Sequence, residues 1–320
     1  MINLSKPLVV ALEEHYWDPD LVALFPGREG KRVSDVERRL LDMGELRLRE
    51  MDEAGIDIQV LSHGAPGTQK LDAEAATRMA RQTNDRLAAF IQANPKRFAG
   101  LGLLPTPDPI AAADELERIV TRLDLKGVMV HGLTNGKFLD EKQFWPIFER
   151  AEALDVPLYM HPSFPSPVVI DAYYKDYAAV YPELIGPALG FTVEAATQAV
   201  RLVLSGVFEK HPKLKIILGH LGEGIPFLLW RIDQSLSRTS GVTSFKETFR
   251  KNFYLTTSGN FSDTALTASI TEMGIDRIMF SVDWPFISNK MATEWLNASA
   301  LSAVDKAKVF GGTAKALLKL

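Results

Sequence analysis

Eight short apolar segments recur along the chain, and each is bounded by glycine, proline or polar residues. They are rich in Val, Ile, Leu and Phe and lack the strict alternation of a half-exposed strand. This pattern predicts buried strands of a parallel sheet. The predicted strands are residues 8–13, 56–62, 98–104, 126–131, 156–161, 214–220, 253–258 and 277–283.

Longer segments with helical periodicity lie between these strands. The first begins with Ser34 and Glu37 in SDVE, a capping-box signature, and ends at Gly55. The other predicted helices cover residues 72–93, 109–123, 141–154, 191–208 and 223–237. Regular alternation of strand and helix predicts a parallel sheet with helical crossovers, and eight such units close into an α/β (β/α)₈ barrel, a TIM barrel.

An open, doubly wound sheet is the structural alternative. Such a sheet normally has a glycine-rich phosphate loop after its first strand, whereas LEEHYWDPD has no glycine. We therefore expect one barrel domain over residues 1–320. Two connections, at about 16–33 and 163–190, exceed the usual length, and we expect irregular loops there that cover the substrate. Trp17, in the first of these connections, is a candidate substrate contact.

Composition narrows the partners of this barrel. The net charge is −4, from 36 basic and 40 acidic residues without long blocks of one sign, so no basic patch favours nucleic acid or an anionic membrane. The chain has no cysteine, so any metal must be bound by His, Asp or Glu. No signal-peptide pattern and no apolar run near the membrane-spanning length is present, and we expect a cytoplasmic enzyme of small molecules.

The six histidines are unevenly placed on the predicted barrel. Five of them lie at or just past the carboxyl end of a strand, namely His15, His63, His131, His161 and His220. The sixth, His211, precedes its strand and is expected on the opposite face. Active sites of such barrels lie at the carboxyl-terminal rim, so this concentration indicates a site there.

Glu13 and His15 are two residues apart at the end of an extended segment, so both side chains can reach one ion. His161 and Asp283 would complete a mixed nitrogen and oxygen site for one divalent ion, Zn²⁺ or Mn²⁺. Each residue has a structural alternative: a hydrogen-bonded histidine, a turn-initiating Asp283, a solvated Glu13. Their joint arrival at one rim favours a metal site.

His220 and Glu223 lie in GHLGEG, where the sixth strand gives way to a helix. Glu223 can accept a hydrogen bond from one ring nitrogen of His220 and so fix its tautomer, as suits an acid/base residue. The alternative is that Glu223 only stabilises the helix N-terminus. Arg231, eight residues further on, is a candidate substrate contact that either pairs with an acid near the site or is an outward-facing cation.

With these residues in view, the sequence resembles the decarboxylase branch of the amidohydrolase superfamily, which contains aminocarboxymuconate semialdehyde and γ-resorcylate (dihydroxybenzoate) decarboxylases. The motifs ALEEH, DMGELRLREMDEAGIDIQVLS, NDRLAAFIQANPKRFAGLGLLP, YMHP, GHLGE and FSVDWPF support this over almost the whole chain. ALEEH is informative because many relatives have His-x-His there, whereas hydroxybenzoate decarboxylases often have Glu-x-His or Glu-x-Ala.

The resemblance implies that Glu13, His15, His161 and Asp283 bind the metal, that His220 with Glu223 is catalytic or orients the substrate, and that Phe286 packs on the substrate ring. The chain departs from the branch at Ile287, where relatives usually have Glu. It also departs at His63 and His131, where they tend to have Asn or Ser. These two histidines are therefore candidates for substrate selection. A homodimer or homotetramer is also implied.

The implied reaction is nonoxidative decarboxylation of a hydroxylated aromatic acid, with Asp283 as the first candidate for the acid that protonates the ring and His220 as the alternative. A lactonase or other hydrolase of the same fold, or a hydratase, would use the same ligands. A non-catalytic binding barrel is the alternative outside enzymes. Carboxylate-rich ligation favours Mn²⁺ over Zn²⁺.

Overall fold

The computed structural model describes residues 6–27, 30–240 and 244–320. Eight strands lie within these ranges, and each falls inside or overlaps one of the predicted segments. They are β1 (Val10–Tyr16), β2 (Ile58–His63), β3 (Phe98–Gly100), β4 (Val128–His131), β5 (Leu158–His161), β6 (Ile216–Leu218), β7 (Phe253–Thr256) and β8 (Ile278–Met279).

All neighbouring strands are parallel, in the order β1-β2-β3 and β4-β5-β6-β7-β8. Two parallel bridges join these runs, Gly102 with Val128 between β3 and β4, and Leu12 with Ser281 between β1 and β8. The eight strands therefore form a closed ring, and the predicted (β/α)₈ barrel is confirmed.

Ten helices of eight or more residues lie in the described ranges and cover the sheet. They are α1 (Ser34–Leu41), α2 (Glu45–Ala54), α3 (Ala73–Ala93), α4 (Pro109–Thr121), α5 (Trp145–Leu154), α6 (Gly190–Leu204), α7 (Ile225–Ser240), α8 (Phe245–Asn252), α9 (Asp263–Met273) and α10 (Asn289–Ala298). Shorter helical segments are Pro19–Val22, Thr68–Lys70, Lys142–Phe144, Pro167–Val169, Ile170–Tyr174, Lys175–Ala178, Pro182–Ile185, Val207–Lys210, His220–Glu223, Ile275–Arg277, Ala303–Ala307, Lys308–Gly312 and Thr313–Leu318.

Two sequence predictions about the helices are wrong in detail. The predicted capping box fails because Val33, not Ser34, is the N-cap, and Glu37 accepts instead from the backbone N–H of Arg32 at 3.3 Å. The helix predicted to reach Gly55 is broken between α1 and α2, where Asp42 is extended and its carboxylate accepts from the Gly44 N–H at 2.9 Å. A local side-chain hydrogen bond thus competes with helix continuation.

The two long connections also differ from the expected irregular loops. The first contains the turn Pro19–Val22, capped by Asp18, whose carboxylate also binds Arg86 on α3. Residues 28 and 29 of that connection lie outside the described part of the chain. The second contains four short helical segments between Pro167 and Ile185.

The barrel interior is filled by apolar side chains from every strand. Val10 and Leu12, Val60, Ala99, Met129, Tyr159, Ile217 and Met279 form one buried cluster, with Tyr254 packed against it. Leu317 and Leu318 of the segment Thr313–Leu318 belong to the same cluster and close the amino-terminal end. The polar residues of the rim lie at the other, carboxyl-terminal end.

None of the helices among the described residues is both long and apolar enough to cross a membrane, and the cytoplasmic location stays a prediction.

Candidate active site

Four residues predicted as metal ligands meet at the carboxyl-terminal rim. One side-chain donor atom from each of Glu13, His15, His161 and Asp283 lies within 4.8 Å of the others. The shortest separations are 3.3 Å, from His161 Nε2 to Glu13 Oε1 and from His15 Nε2 to Asp283 Oδ1. Strands far apart in sequence thus place two imidazoles and two carboxylates around one point.

A β-bulge in β1 brings Glu13 into this group. Ala11 pairs with Gln59 and Glu14 with Leu61, so three residue steps on β1 face two on β2. Glu13, inside the bulge, has a left-handed φ of 58°. The sequence argument relied on regular alternation to place Glu13 beside His15, whereas the structure does so with a bulge that re-aims one side chain.

Hydrogen bonds fix which ring nitrogen faces the centre. The backbone oxygen of Pro162 lies 2.6 Å from His161 Nδ1, and since a carbonyl only accepts, Nδ1 carries the proton. The Nε2 lone pair therefore points at the carboxylate oxygen of Glu13. Burial lowers the pKa of His161 well below its usual value, which keeps the ring neutral. Two electron-pair donors 3.3 Å apart in a buried site are stabilised by a cation between them.

The donor set fits one divalent metal ion. Glu13 Oε1 and His15 Nε2 are buried and have no hydrogen-bond partner among the described residues. Burial raises the pKa of Glu13, although His220 and His15 oppose the rise. A buried carboxylate in this state is stabilised by a bound cation, and mixed imidazole and carboxylate ligation suits Mn²⁺ or Zn²⁺.

The acid/base candidates lie on the more exposed side of the centre. Nδ1 of His220 is 2.7 Å from Glu223 Oε1, so the predicted contact is present. The helix predicted to begin at Glu223 begins instead at Ile225, because His220–Glu223 is a turn with left-handed residues. Burial alone would lower the pKa of His220, but the carboxylates of Glu223 and Glu13 outweigh it and raise that pKa to about 10.

Asp283 and Phe286 complete this side. Asp283, with a left-handed φ of 74°, has a side chain 17% exposed, compared with 0% for Glu13 and His15. Its backbone oxygen accepts from the N–H of Phe286 at 2.9 Å. The Phe286 ring is 42% exposed and its centroid lies 6.0 Å from that of His15. An exposed aromatic ring therefore borders the metal-ligand cluster, which consists of Glu13, His15, His161 and Asp283.

His63 and His131 are buried rather than open to the mouth. The ring of His131 is 5.0 Å from that of His161, and burial lowers its pKa to about 3. Burial also lowers the pKa of His63 to about 4, and its Nδ1 donates to the Gly64 oxygen at 2.7 Å. The Nε2 atoms of both have no partner among the described residues. Both are neutral imidazoles beside the cluster, and a role in substrate selection stays a prediction.

The remaining two candidates, Trp17 and Arg231, differ in their surroundings. Trp17 is buried, its Nε1 donates to the Ala65 oxygen at 3.3 Å, and the Arg32 guanidinium lies 5.0 Å from its ring centroid. Arg231 is exposed on α7. No hydrogen bond or ion pair joins Arg231 to the site within the described ranges, so its substrate role stays a prediction.

Sequence reasoning missed several buried groups behind the ligands. Glu13 Oε2 accepts from Tyr159 Oη and from Ser258 Oγ, the latter at 2.5 Å. Arg47, fully buried on α2, donates to the backbone oxygen of His15 at 2.6 Å and lies 3.9 Å from the Trp284 ring centroid. The signal for these residues was a hydroxyl-rich strand end and an arginine in an amphipathic helix, and neither is distinctive alone.

Glu194 on α6 is a buried carboxyl near the site that the sequence did not indicate. It is 7% exposed, its Oε1 accepts from Gln198 Nε2 at 2.7 Å, and its Oε2 has no partner among the described residues. Burial raises its pKa to about 8, with Gln198 opposing and Glu223 adding to the rise. The folded chain therefore keeps a proton on Glu194 near neutral pH.

Glu194→Gln is expected to make the protein more stable at high pH and to leave it unchanged near pH 4.5. The pKa of Glu194 is higher in the folded than in the unfolded chain, so stability falls as the pH rises from 4.5 through about 8. Glutamine removes that loss. At pH 9 we expect a gain of order 3 kcal/mol, because relaxation recovers part of the roughly 5 kcal/mol that the full shift represents.

Urea unfolding of both proteins from pH 4.5 to 9 measures this gain. The exposed Glu209 on the segment Val207–Lys210 offers a matched control, and Glu209→Gln should follow the wild-type curve throughout. A constant difference between Glu194→Gln and wild type at every pH would contradict the buried, protonated state of Glu194.

Comparisons with known proteins cover nearly the whole chain. The sequence model of the amidohydrolase family matches residues 13–320. The γ-resorcylate decarboxylase of Polaromonas sp. strain JS666 is 41% identical over an alignment of 325 positions, which covers 97% of this chain and 98% of that protein. The crystal structure of a dihydroxybenzoic acid decarboxylase from Polaromonas sp. JS666, with manganese and the inhibitor 2-nitroresorcinol, has a TM-score of 0.88 at 39% identity and covers 98% of each chain. A 2,6-dihydroxybenzoate decarboxylase in complex with 2,6-dihydroxybenzoate has a TM-score of 0.89 at 38% identity and covers 98% of this chain and 100% of that one.

Proposed function

The chain belongs to the amidohydrolase family and is a metal-dependent carboxy-lyase of it, and from this premise we propose that its substrate is a benzoate with a hydroxyl group next to the carboxylate. The observation that supports this most directly is the exposed side of the metal-ligand cluster. Two groups that can carry a proton, Asp283 and His220, lie there beside the partly exposed ring of Phe286. A flat aromatic acid fits between a ring that stacks on it and groups that protonate it.

Each residue of the cluster has a role in this proposal. Glu13, His15, His161 and Asp283 would hold one Mn²⁺ or Zn²⁺. Bound there, the ion would supply Lewis-acid stabilisation of the negative charge on the substrate's oxygens. Phe286 packs on the substrate ring, and His63 and His131 select its substituents. Trp17 and the described parts of the long connections at about 16–33 and 163–190 cover the bound acid, and the described residues form one domain.

Decarboxylation requires protonation of a carbon atom of the aromatic ring. Asp283 takes the proton of the phenol and delivers it to the ring carbon that bears the carboxylate, which interrupts the aromatic system. The bond to the carboxylate then breaks, its electron pair restores aromaticity, and CO₂ leaves. The phenolate oxygen that gave up its proton takes one from solvent, so that overall one hydroxybenzoate anion and one proton yield one phenol and one CO₂. His220, oriented by Glu223, is the alternative donor or relay.

A substrate panel tests the function. The Mn²⁺-loaded protein is incubated with 2-hydroxybenzoates carrying ¹³C in the carboxylate and, separately, with aromatic lactones. We expect labelled CO₂ and the matching phenol from at least one hydroxybenzoate, and no ring opening of the lactones. Lactone hydrolysis without CO₂ release would replace decarboxylation by the hydrolase alternative, in which the same ligands activate water.

We also propose that the chain forms a homodimer or homotetramer. Ten of the nineteen large apolar side chains exposed among the described residues lie in two stretches, residues 168–193 and 227–230. Phe227 and Trp230 on α7 are 84% and 63% exposed. Apolar surface of this extent typically marks an interface. Light scattering on the purified protein should give at least twice the mass of one chain, and a single-chain mass at micromolar concentration would contradict the proposal.

A further inference from the structure

The residues that follow β7, Ser258 to Asn260, hold the backbone of His220 from both sides. The N–H of His220 donates to Ser258 Oγ at 3.2 Å, and Nδ2 of Asn260 donates to the backbone oxygen of His220 at 3.2 Å. His220 has a left-handed φ of 52°, a conformation that residues other than glycine rarely adopt. The side chains of Ser258 and Asn260 therefore hold the backbone of His220 in a conformation that this residue does not favour by itself.

The same Ser258 hydroxyl also reaches the metal-ligand cluster. Its Oγ donates to Glu13 Oε2 at 2.5 Å, and Tyr159 Oη donates to the same oxygen. Thr256 Oγ1 lies 2.6 Å from Tyr159 Oη and 3.3 Å from Ser258 Oγ. Each hydroxyl has one proton. Because those of Tyr159 and Ser258 go to Glu13, Ser258 is an acceptor toward the His220 N–H.

These hydrogen bonds determine which carboxylate oxygen of Glu13 is available to a cation. Its Oε2 is occupied by two hydroxyl donors, whereas Oε1 faces Nε2 of His161 at 3.3 Å and has no hydrogen-bond donor among the described residues. Ionised acceptors hold such donors more strongly than neutral ones. Glu13 is thereby set to bind through one oxygen, in one orientation.

Gly259 lets this arrangement sit close to both acid/base candidates. It has a φ of 62°, and a Cβ built on it would lie 3.3 Å from His220 Cδ2 and 3.4 Å from Asp283 Oδ2. The backbone between Ser258 and Asn260 therefore passes directly beside the two side chains, and its left-handed φ at residue 259 favours glycine there.

We propose that Ser258 is a positioning residue that couples the two halves of the site: one hydroxyl orients the metal ligand Glu13 and the backbone of the acid/base residue His220. Tyr159 supports only the first half and Asn260 only the second. This inference rests on the proposed function, which assigns metal binding to Glu13 and acid/base chemistry to His220. The test keeps the inference and the proposed function apart, because it measures Mn²⁺ affinity and the state of His220 without using turnover.

The experiment compares Ser258→Ala, Tyr159→Phe and Asn260→Ala in the full-length protein. Mn²⁺ affinity is measured by electron paramagnetic resonance, and the ring and backbone ¹⁵N resonances of His220 are measured in the Zn²⁺-loaded protein. We expect Ser258→Ala to weaken Mn²⁺ binding about 10- to 100-fold, as loss of a hydrogen bond to a metal ligand typically does, and also to shift the His220 resonances. Tyr159→Phe should mainly weaken Mn²⁺ binding, and Asn260→Ala should mainly shift His220.

Thr257→Val is the matched control. Thr257 is buried next to Ser258, but its hydroxyl is bound to the backbone of Ser281, at 2.8 and 3.0 Å, and touches neither Glu13 nor His220. It should lower stability without changing Mn²⁺ affinity or the His220 resonances. A change in only one of the two readouts for Ser258→Ala, or none, would overturn the proposal.

Turnover gives a third readout and keeps the inference distinct from the proposed function. At saturating Mn²⁺, kcat on an active hydroxybenzoate should fall at least tenfold in Ser258→Ala and less in Ser258→Cys, which keeps a weak donor in place. If Ser258→Ala does not fold, Ser258→Cys is judged by the same two binding readouts. If no hydroxybenzoate is turned over even by the wild-type protein, the proposed function fails, whereas Mn²⁺ affinity and the His220 resonances still decide the coupling.

Discussion

Asp283→Asn is expected to lower kcat on an active hydroxybenzoate by at least about 10³-fold, equivalent to roughly 4 kcal/mol of transition-state stabilisation. Asparagine keeps an oxygen that can face His15 Nε2, now 3.3 Å from Asp283 Oδ1. It also tolerates the left-handed φ of 74°. It does not carry an acidic proton, so the variant should retain its shape and lose proton delivery to the ring carbon.

The measurement is steady-state turnover with the bound Mn²⁺ quantified in the same sample. Asp276→Asn is a matched control, because Asp276 lies in the turn before β8 and, among the described residues, forms only an exposed ion pair with Lys308. Its kcat should equal that of the wild type. His220→Asn separates the two acid candidates and should cost less than Asp283→Asn. Near-normal turnover of Asp283→Asn with metal bound would instead give the acid role to His220.

Glu13→Gln is expected to weaken Mn²⁺ binding by about 10³-fold or more and to abolish turnover at micromolar Mn²⁺. Glu13 Oε2 already accepts two hydroxyl donors, and Oε1 faces Nε2 of His161. An amide has only one oxygen. If that oxygen meets the hydroxyls, the NH₂ group fills the position of the metal donor, and if it faces the centre, the hydroxyls of Tyr159 and Ser258 meet a second donor.

Thermal unfolding with and without Mn²⁺ gives an independent measure. Because Mn²⁺ binds only the folded wild-type protein, it should raise its Tm in a concentration-dependent manner, and this rise should vanish in Glu13→Gln. Glu14→Gln is the control, since the neighbouring Glu14 points away and accepts from the Val282 N–H at 3.0 Å and from Gln59 at 3.2 Å. Equal Mn²⁺ affinity in Glu13→Gln and wild type would refute the ligand assignment.

The barrel could be predicted because its signal is local. Each strand is a short apolar run, and a side chain at the end of a run must lie at the rim once the ring closes. For that reason the predicted positions of His15, His63, His131 and His161 at strand ends agree with the structure. The same logic placed Asp283 near Glu13 although 270 positions in sequence separate them.

The residues behind the ligands could not be predicted because their partners are distant. Arg47 lies in a helix whose pattern favours an exposed cation, yet it is fully buried against the Trp284 ring and the backbone of His15. Its cost of burial is offset by contacts that exist only in the folded barrel. Burial lowers its pKa to about 9, whereas Glu14 and Asp42 oppose the shift. No local pattern encodes such an environment.

The bulge and the left-handed turns were also beyond sequence reasoning. A pattern of apolar and polar residues predicts the face of a regular strand, but the register change between Ala11 and Glu14 comes from pairing with β2. Likewise, GHLGEG was predicted to begin a helix at Glu223, and the positive φ of His220, Leu221 and Glu223 delays that helix to Ile225. Contacts between elements distant in sequence determine both the bulge in β1 and the start of this helix.

The left-handed backbone shared by Glu13, His220 and Asp283 limits how this enzyme can be changed by evolution or by design. At all three positions the left-handed φ disfavours most side chains, and β-branched ones most strongly, whatever chemistry the new residue brings. New substrate ranges are therefore most accessible through positions without this constraint, such as Ile287 and His131 beside the site. Combinatorial libraries that hold the three fixed and vary these neighbours should keep a much larger fraction of folded, metal-binding members.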